Sequence, residues 1–174
     1  FHGGRFYLRQ LYLSSSSSPV HYTAAMRIRR RVTIQAPPET VWDVITDLRR
    51  AVEWAPAFDD YPFISPQWPQ RGAQATWRYH FGPLSFNFAL TITESQRGKG
   101  LQIANRSLFG QGLEVYSFTA SGGITTVWYD FSDEPNLLGR LVTPLFEERL
   151  IKQMDATMAN LKDYCERKVK AASS

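Results

Sequence analysis

Long hydrophobic runs are missing from this 174-residue chain. No apolar stretch approaches the ~20 residues that a membrane-spanning helix needs, so a helical membrane span is excluded. Cysteine is nearly missing as well. Cys165 stands alone, which excludes an intrachain disulfide and fits a reducing compartment. A reactive thiol needs a lowered pKa, and nothing near Cys165 in sequence supplies one, so it reads as a small residue on a helix. Of the three histidines, His2 and His21 fall in an irregular leader and only His80 lies beyond it. One histidine and one cysteine cannot build the usual His/Cys metal site, and no cofactor is implied. No Gly-rich loop ends in Gly-Lys-Ser/Thr to cradle a phosphate, and no serine sits in a nucleophile elbow. The residues offer no convincing catalytic set.

Acidic residues are absent before Glu39, whereas Arg5, Arg9, Arg27, Arg29, Arg30 and Arg31 all precede it. The net charge of +4 is therefore uneven: fourteen basic against sixteen acidic residues remain over 39–174, a balance of −2. A nucleic-acid binder carries its basic residues clustered over a domain face. This body has no such cluster, and no nucleic-acid partner is expected.

Aromatics are abundant: eleven Phe, eight Tyr and five Trp. They bury large areas and suit a core or an apolar pocket. The length suits one domain with a core of its own.

Residues 1–25 differ from the rest. They carry the run Ser14 to Ser18, no acid and no sustained period. This Arg- and Ser-rich composition is that of a tag, a disordered leader or an organelle transit segment. Residues 26–170 read as the domain, and 171–174 as a tail. A cytoplasmic location is the expectation, with organelle targeting by residues 1–25 as the alternative.

Ile28, Val32 and Ile34 alternate with polar neighbours in a first strand, Arg30 being the exception. Pro37-Pro38 stops it and favours a helix start, followed by a short helix through Val41, Trp42, Val44 and Ile45 and a second over Leu48–Trp54. Four prolines between Pro56 and Pro69 allow at most a short edge strand. Trp77, Tyr79 and Phe81 then alternate, as do Phe86, Phe88, Leu90 and Ile92. Strands over 101–107, 113–120 and 124–131 are separated by Gly-containing turns, which implies an antiparallel meander. Over residues 136–169, Leu138, Leu141, Leu145, Ile151, Met154, Met158, Leu161 and Cys165 recur at steps compatible with one amphipathic helix. Pro144 predicts a kink or break in it. Asp43 and Asp47 are expected to serve helix ends. The fold class is α+β: a curved antiparallel sheet of six or seven strands around a long C-terminal helix, with two short helices after the first strand.

The stretch from Val32 to Asp47, with its Ala36-Pro37, Glu39, Val41-Trp42 and Asp43, resembles the opening of the SRPBCC or Bet v 1-like (START-like) superfamily, whose fold is the helix-grip. The polyketide cyclase/dehydrase and coenzyme Q-binding group is the nearest resemblance. Trp54 with Pro56, and Ala159-Asn160-Leu161-Lys162, match two further family signatures. The resemblance covers about residues 27–169 and implies an enclosed apolar pocket between sheet and helix. Its expected ligand-binding lining is Trp77, Tyr79, Phe86, Phe88, Leu90, Ile103, Asn105, Tyr116, Phe118, Val127, Tyr129, Phe146, Leu150 and Met154.

The function this implies is binding of a hydrophobic small molecule: a lipid, a quinone or a polyketide-like ring system. One alternative is a polyketide cyclase/dehydrase, for which Tyr79, Tyr129, Glu114, Arg78 and His80 are the acid–base candidates. By alternation Arg78, His80, Trp128 and Asp130 point outward. Glu114 shares the inward parity of Tyr116 but stands near a strand end, where exposure is common. The other alternative is an interaction module acting on a protein or ribosomal partner, or a homodimer. An exposed apolar patch around Trp128 or between Trp54 and Trp68 would favour it. Deleting residues 1–25 is expected to leave the melting temperature nearly unchanged; a fall of many degrees on thermal denaturation would show that they pack on the domain.

Overall fold

The computed structural model describes residues 26–55, 60–81 and 84–173. The leader lies outside them. Seven strands form one antiparallel sheet: β1 (Met26–Ile34), β2 (Asp60–Ile64), β3 (Gln74–Phe81), β4 (Leu84–Gln96), β5 (Gly100–Ser107), β6 (Gly110–Ser121) and β7 (Ile124–Pro135). Their spatial order is β1-β7-β6-β5-β4-β3-β2. The meander β2 to β7 follows chain order because tight connections leave each strand only its neighbour to pair with. β1 then closes against β7, with Val32 opposite Val127. The sheet is curved and open, and it holds a long C-terminal helix in the helix-grip manner.

Between β1 and β2 lie helix α1 (Pro38–Thr46) and a 3-10 helix (Leu48–Glu53). The second short helix is thus a tighter 3-10 turn. Pro37 and Pro38 set the entry to α1, whose Val41, Trp42, Val44 and Ile45 are buried. Asp47 donates its backbone amide to Asp43 at the helix end, but the Asp43 carboxylate leaves the helix and forms a bridge with Arg97. Thr125, fully buried on β7, donates its hydroxyl to the Ala36 carbonyl at 2.7 Å and so ties the sheet to this corner.

Helix α2 (Leu137–Ala172) runs unbroken through Pro144. Pro144 is exposed, as is Arg140, the residue whose carbonyl loses its intrahelical donor, and water can satisfy that carbonyl there. The C-terminal half of α2 is core: Met154, Met158, Leu161 and Cys165 are buried against the sheet. Burial pushes the Cys165 thiol up to about 12, which makes it inert near neutral pH. The Tyr164 hydroxyl donates to Glu53 at 2.6 Å, fastening the same half to the 3-10 helix.

The N-terminal half departs from the sequence expectation. Leu138 (41 %), Leu141 (71 %) and Leu145 (75 %) are exposed, together with Leu137. The face turned toward the sheet is instead Val142, Phe146 and Leu150. Leucines spaced by three and four mark one helix face but do not say which way it turns. The start of α2 is fixed by close approach. A Cβ on Gly139 would lie 2.0 Å from the Phe109 carbonyl oxygen, so only glycine fits. Asn136 caps this end, accepting from the Gly139 amide at 2.9 Å and donating its side-chain amide to Leu108 at 2.8 Å.

The arginines of β1 are paired with the domain. Arg27 and Arg29 converge on Asp130. Arg30, the one charge of inward parity on this strand, meets Asp155 of α2. Arg31 stacks over Trp128 at 5.3 Å.

Leu161 is completely buried. Leu161→Ala should therefore cost about 2–5 kcal/mol of stability, read as a shift in urea midpoint without a change in slope; a cost below about 1 kcal/mol would mean that α2 does not bury its C-terminal half as described.

Candidate functional site

A cavity of about 160 Å³ lies between the concave face of the sheet and the N-terminal half of α2. An apolar cavity of ~150 Å³ already admits a benzene ring, and the open side of this one lets a larger ring system extend beyond it. It is partly open to solvent rather than enclosed.

Alternation along the strands delivers its walls. Trp77 and Tyr79 come from β3, Phe86 and Phe88 from β4, Asn105 from β5, Tyr129 from β7, and Phe146, Leu150 and Met154 from α2. Trp77 and Phe88, directly opposite in register, stack at 4.9 Å between ring centroids. Phe86 meets the edge of Phe109 at 4.9 Å, and Phe109 closes the end where α2 begins. The Tyr79 hydroxyl reaches Gln153 of α2 at 3.4 Å.

Five residues expected in the lining sit elsewhere. Leu90, Ile103, Tyr116, Phe118 and Val127 are buried in the core and are not among the cavity walls. They have the inward parity, but they lie where the sheet meets other packed elements. Trp42 of α1, for example, packs edge-on against Phe118 at 6.4 Å. Parity assigns a face of the sheet and cannot say what covers each point along it.

Several wall residues escaped the sequence reading: Met26, Ile28, Phe109, Asp133, Val142 and Glu147. Part of the signal was present. Asp133 continues the parity of Tyr129 and Phe131, and Val142 precedes Phe146 by one helical turn. Phe109, in the β5–β6 turn, had no periodicity to reveal it.

Glu114 is the chemical centre of the site. It extends from β6 into the cavity, its neighbours in register being Ile103 on β5 and Phe131 on β7. It is half-buried and lines the cavity. Removal from water pushes its carboxyl up to about 7, while hydrogen bonds from Asn105 and Tyr129 act to lower it. Desolvation disfavours the charged form and donors favour it, and here desolvation prevails. The Tyr129 and Tyr116 hydroxyls are both raised well above their ordinary value, first by burial and then by the neighbouring Glu114 charge. Both remain protonated at neutral pH, so Tyr129 is a donor to Glu114. Asn105 reaches this position because Gly112 stands opposite it: a Cβ there would come within 2.9 Å of the Asn105 side-chain oxygen.

Of the remaining acid–base candidates Tyr79 lines the cavity, whereas Arg78 pairs with Asp60 at the surface at 2.8 Å. Asp130, of outward parity, is held by Arg27 and Arg29. The His80 side chain lies outside the described residues. Of the aromatics expected to mark an interaction patch, Trp128 is exposed. Trp54 is buried, and Trp68 is half-buried with its indole N–H donating to Thr46 at 3.0 Å, so neither of these two tryptophans is a free surface aromatic; among the described residues between them Phe63 of β2 is exposed. Among the described residues no cluster of His, Cys, Asp or Glu could hold a metal ion, and no helix is long and apolar enough to cross a membrane.

Comparison with known proteins fits this architecture. The Zhui aromatase/cyclase from Streptomyces sp. R1128 is 15% identical, with a TM-score of 0.64 over 84% of this chain and 97% of that one. TTHA0849 from Thermus thermophilus is 18% identical, with a TM-score of 0.62 over 86% of this chain and 100% of that one. Ara h 8.0201 is 9% identical, with a TM-score of 0.58 over 80% of this chain and 97% of that one. At these identities the likeness is one of fold. No curated protein matches the chain. The family model for "Polyketide cyclase / dehydrase and lipid transport" matches residues 25–166; it does not single out the coenzyme Q-binding group. With most of its length matched, the chain belongs to the polyketide cyclase / dehydrase and lipid transport family, within the SRPBCC or Bet v 1-like superfamily.

Proposed function

We propose that the chain binds a hydrophobic, ring-bearing small molecule in the cavity between the sheet and α2. The observation that carries this reading is the composition of the walls: aromatic side chains from β3, β4, β7 and α2 and one polar cluster, Glu114 with Asn105 and Tyr129. Ligand sites are characteristically apolar with a few convergent polar groups.

Magnitudes show why the cluster matters. Burying about 300 Å² of apolar ligand surface is worth about 7 kcal/mol. Association costs of at least about 4 kcal/mol leave only millimolar binding. Contacts at the polar end must raise affinity into a useful range.

A second reading is favoured by the same cluster. A carboxyl titrating near neutrality can both give and take a proton, which a cyclase or dehydrase needs. Under that reading Glu114 is the acid–base residue, and Tyr129 and Asn105 orient it.

Two outcomes check these readings. The neutral probe N-phenyl-1-naphthylamine should brighten on binding. Phe88→Trp, which fills the cavity, should weaken that binding several-fold, while Trp128→Ala on the convex face should leave it unaltered. Equal effects of the two substitutions, or no binding, would reject the cavity as the site. The state of Glu114 is checked by stability. Its folded pKa lies above the unfolded value, so the folded state holds the proton longer and stability falls as pH rises from about 4.5 through about 7. The loss should be on the order of 2–3 kcal/mol and should disappear in Glu114→Gln. A pH dependence between 5 and 8 that survives the substitution would place the titrating group elsewhere.

A further inference from the structure

The cavity has a charge character that its aromatic walls conceal. Its described lining contains three carboxyl groups, those of Glu114, Asp133 and Glu147, and no Lys, Arg or His. The arginines of β1 do not offset them, since Arg27 and Arg29 are committed to Asp130 and Arg30 to Asp155. An anionic ligand such as a free carboxylate or a phosphate ester would meet repulsion with no cation to receive it.

The arrangement around Glu114 points the same way. Tyr129 and Asn105 line the cavity with it, and their side-chain donors favour its charged form. They prepare it as an acceptor, and a carboxylate has about four lone-pair sites. What the cluster lacks is a positive donor arriving from the cavity side.

We propose that the cavity selects a hydrophobic amine: a cationic nitrogen carried on an aromatic body, with the ring lying between the Trp77–Phe88 stack and Phe146 and the ammonium paired with Glu114. This rests on the reading of the cavity as a ligand site and names the class of ligand. The chain's own groups provide the rest of the selectivity. Asp133 of β7 is half-buried and accepts the Met26 amide at 2.8 Å. Burial raises its carboxyl, and Glu147 of α2 raises it further by repulsion. Both sites disfavour a second anion. The other ionisable groups turned toward Glu114 are tyrosines: Tyr116 on its own strand, Tyr129 on β7 and Tyr79 on β3 across the cavity. Tyr116 and Tyr129 stay protonated at neutral pH. No competing cation is available among the described lining residues, so Glu114 reports the ligand's charge directly.

The experiment compares three probes of matched shape by calorimetry: 2-(1-naphthyl)ethylamine, 2-(1-naphthyl)ethanol and 1-naphthylacetate. At pH 8 the amine should bind at least tenfold tighter than the alcohol, and the carboxylate should be weakest. Between pH 8 and pH 5 protonation of Glu114 should weaken the amine by roughly 30- to 100-fold, while the alcohol changes less than threefold. Glu114→Gln, isosteric and checked for folding by circular dichroism, should erase both the amine preference and its pH dependence. The pH series on the unaltered protein stands independently of that variant. An amine no tighter than the alcohol, a flat pH profile, or a preference that survives in folded Glu114→Gln would overturn the proposal. Alcohol binding without an amine advantage would defeat this inference alone; failure of all three probes would defeat the cavity reading with it.

Discussion

The cavity exists because α2 is fastened at its start and from Met154 onward, and not over the turns between. At its start, Gly139 lets the helix backbone approach the Phe109 carbonyl far more closely than any side chain would permit. At its other end, Leu161 and Cys165 are sunk completely into the core and Tyr164 reaches Glu53. The sheet curves between these two anchors. Interiors normally close to crystal-like density, yet here the aromatic side chains projecting from β3, β4 and β7 leave space beneath the helix even though Tyr79 reaches it at Gln153. A void is left under Phe146 and Leu150 that neither layer can fill alone.

That void sets the electrostatics of its one central acid. Glu114 stands on a strand whose inward positions are otherwise filled by Tyr116 and Phe118, both buried. The sheet puts the carboxyl where water is scarce, and the two donors beside it only partly compensate. The cost is stability at neutral pH, and the gain is a group poised between its charged and neutral forms. Local conflict of this kind, a polar group held where packing would prefer an apolar one, is characteristic of sites that do something.

Much of the architecture was legible in the sequence because period 2 and period 3.6 are strong signals. The alternation of Trp77, Tyr79, Phe86 and Phe88 gave the strands, the inward face and four cavity walls together. Val32-to-Asp47 and Leu161-Lys162 carried the family. The same alternation misled at Leu90, Ile103, Tyr116, Phe118 and Val127, since it identifies a face and not the thickness of protein above it. Leu138, Leu141 and Leu145 misled for a related reason: steps of three and four residues mark a stripe without saying whether a partner covers it. Asp43 had the position of a helix-end residue but turned to Arg97, a partner from a distant turn. Glu114 was readable as inward but not as central, because its importance depends on Asn105 and Tyr129, which reach it from two other strands.

The central claim is that ligands enter beneath α2 and meet Glu114. It is tested most directly by intermolecular nuclear Overhauser effects between the isotopically labelled protein and a bound naphthyl ligand. The account predicts contacts from the ligand ring to Phe88 and Phe146, and from its polar end to the Glu114 side chain. Contacts confined to the exposed face around Trp128, or to Leu141 and Leu145 on the outside of α2, would contradict it.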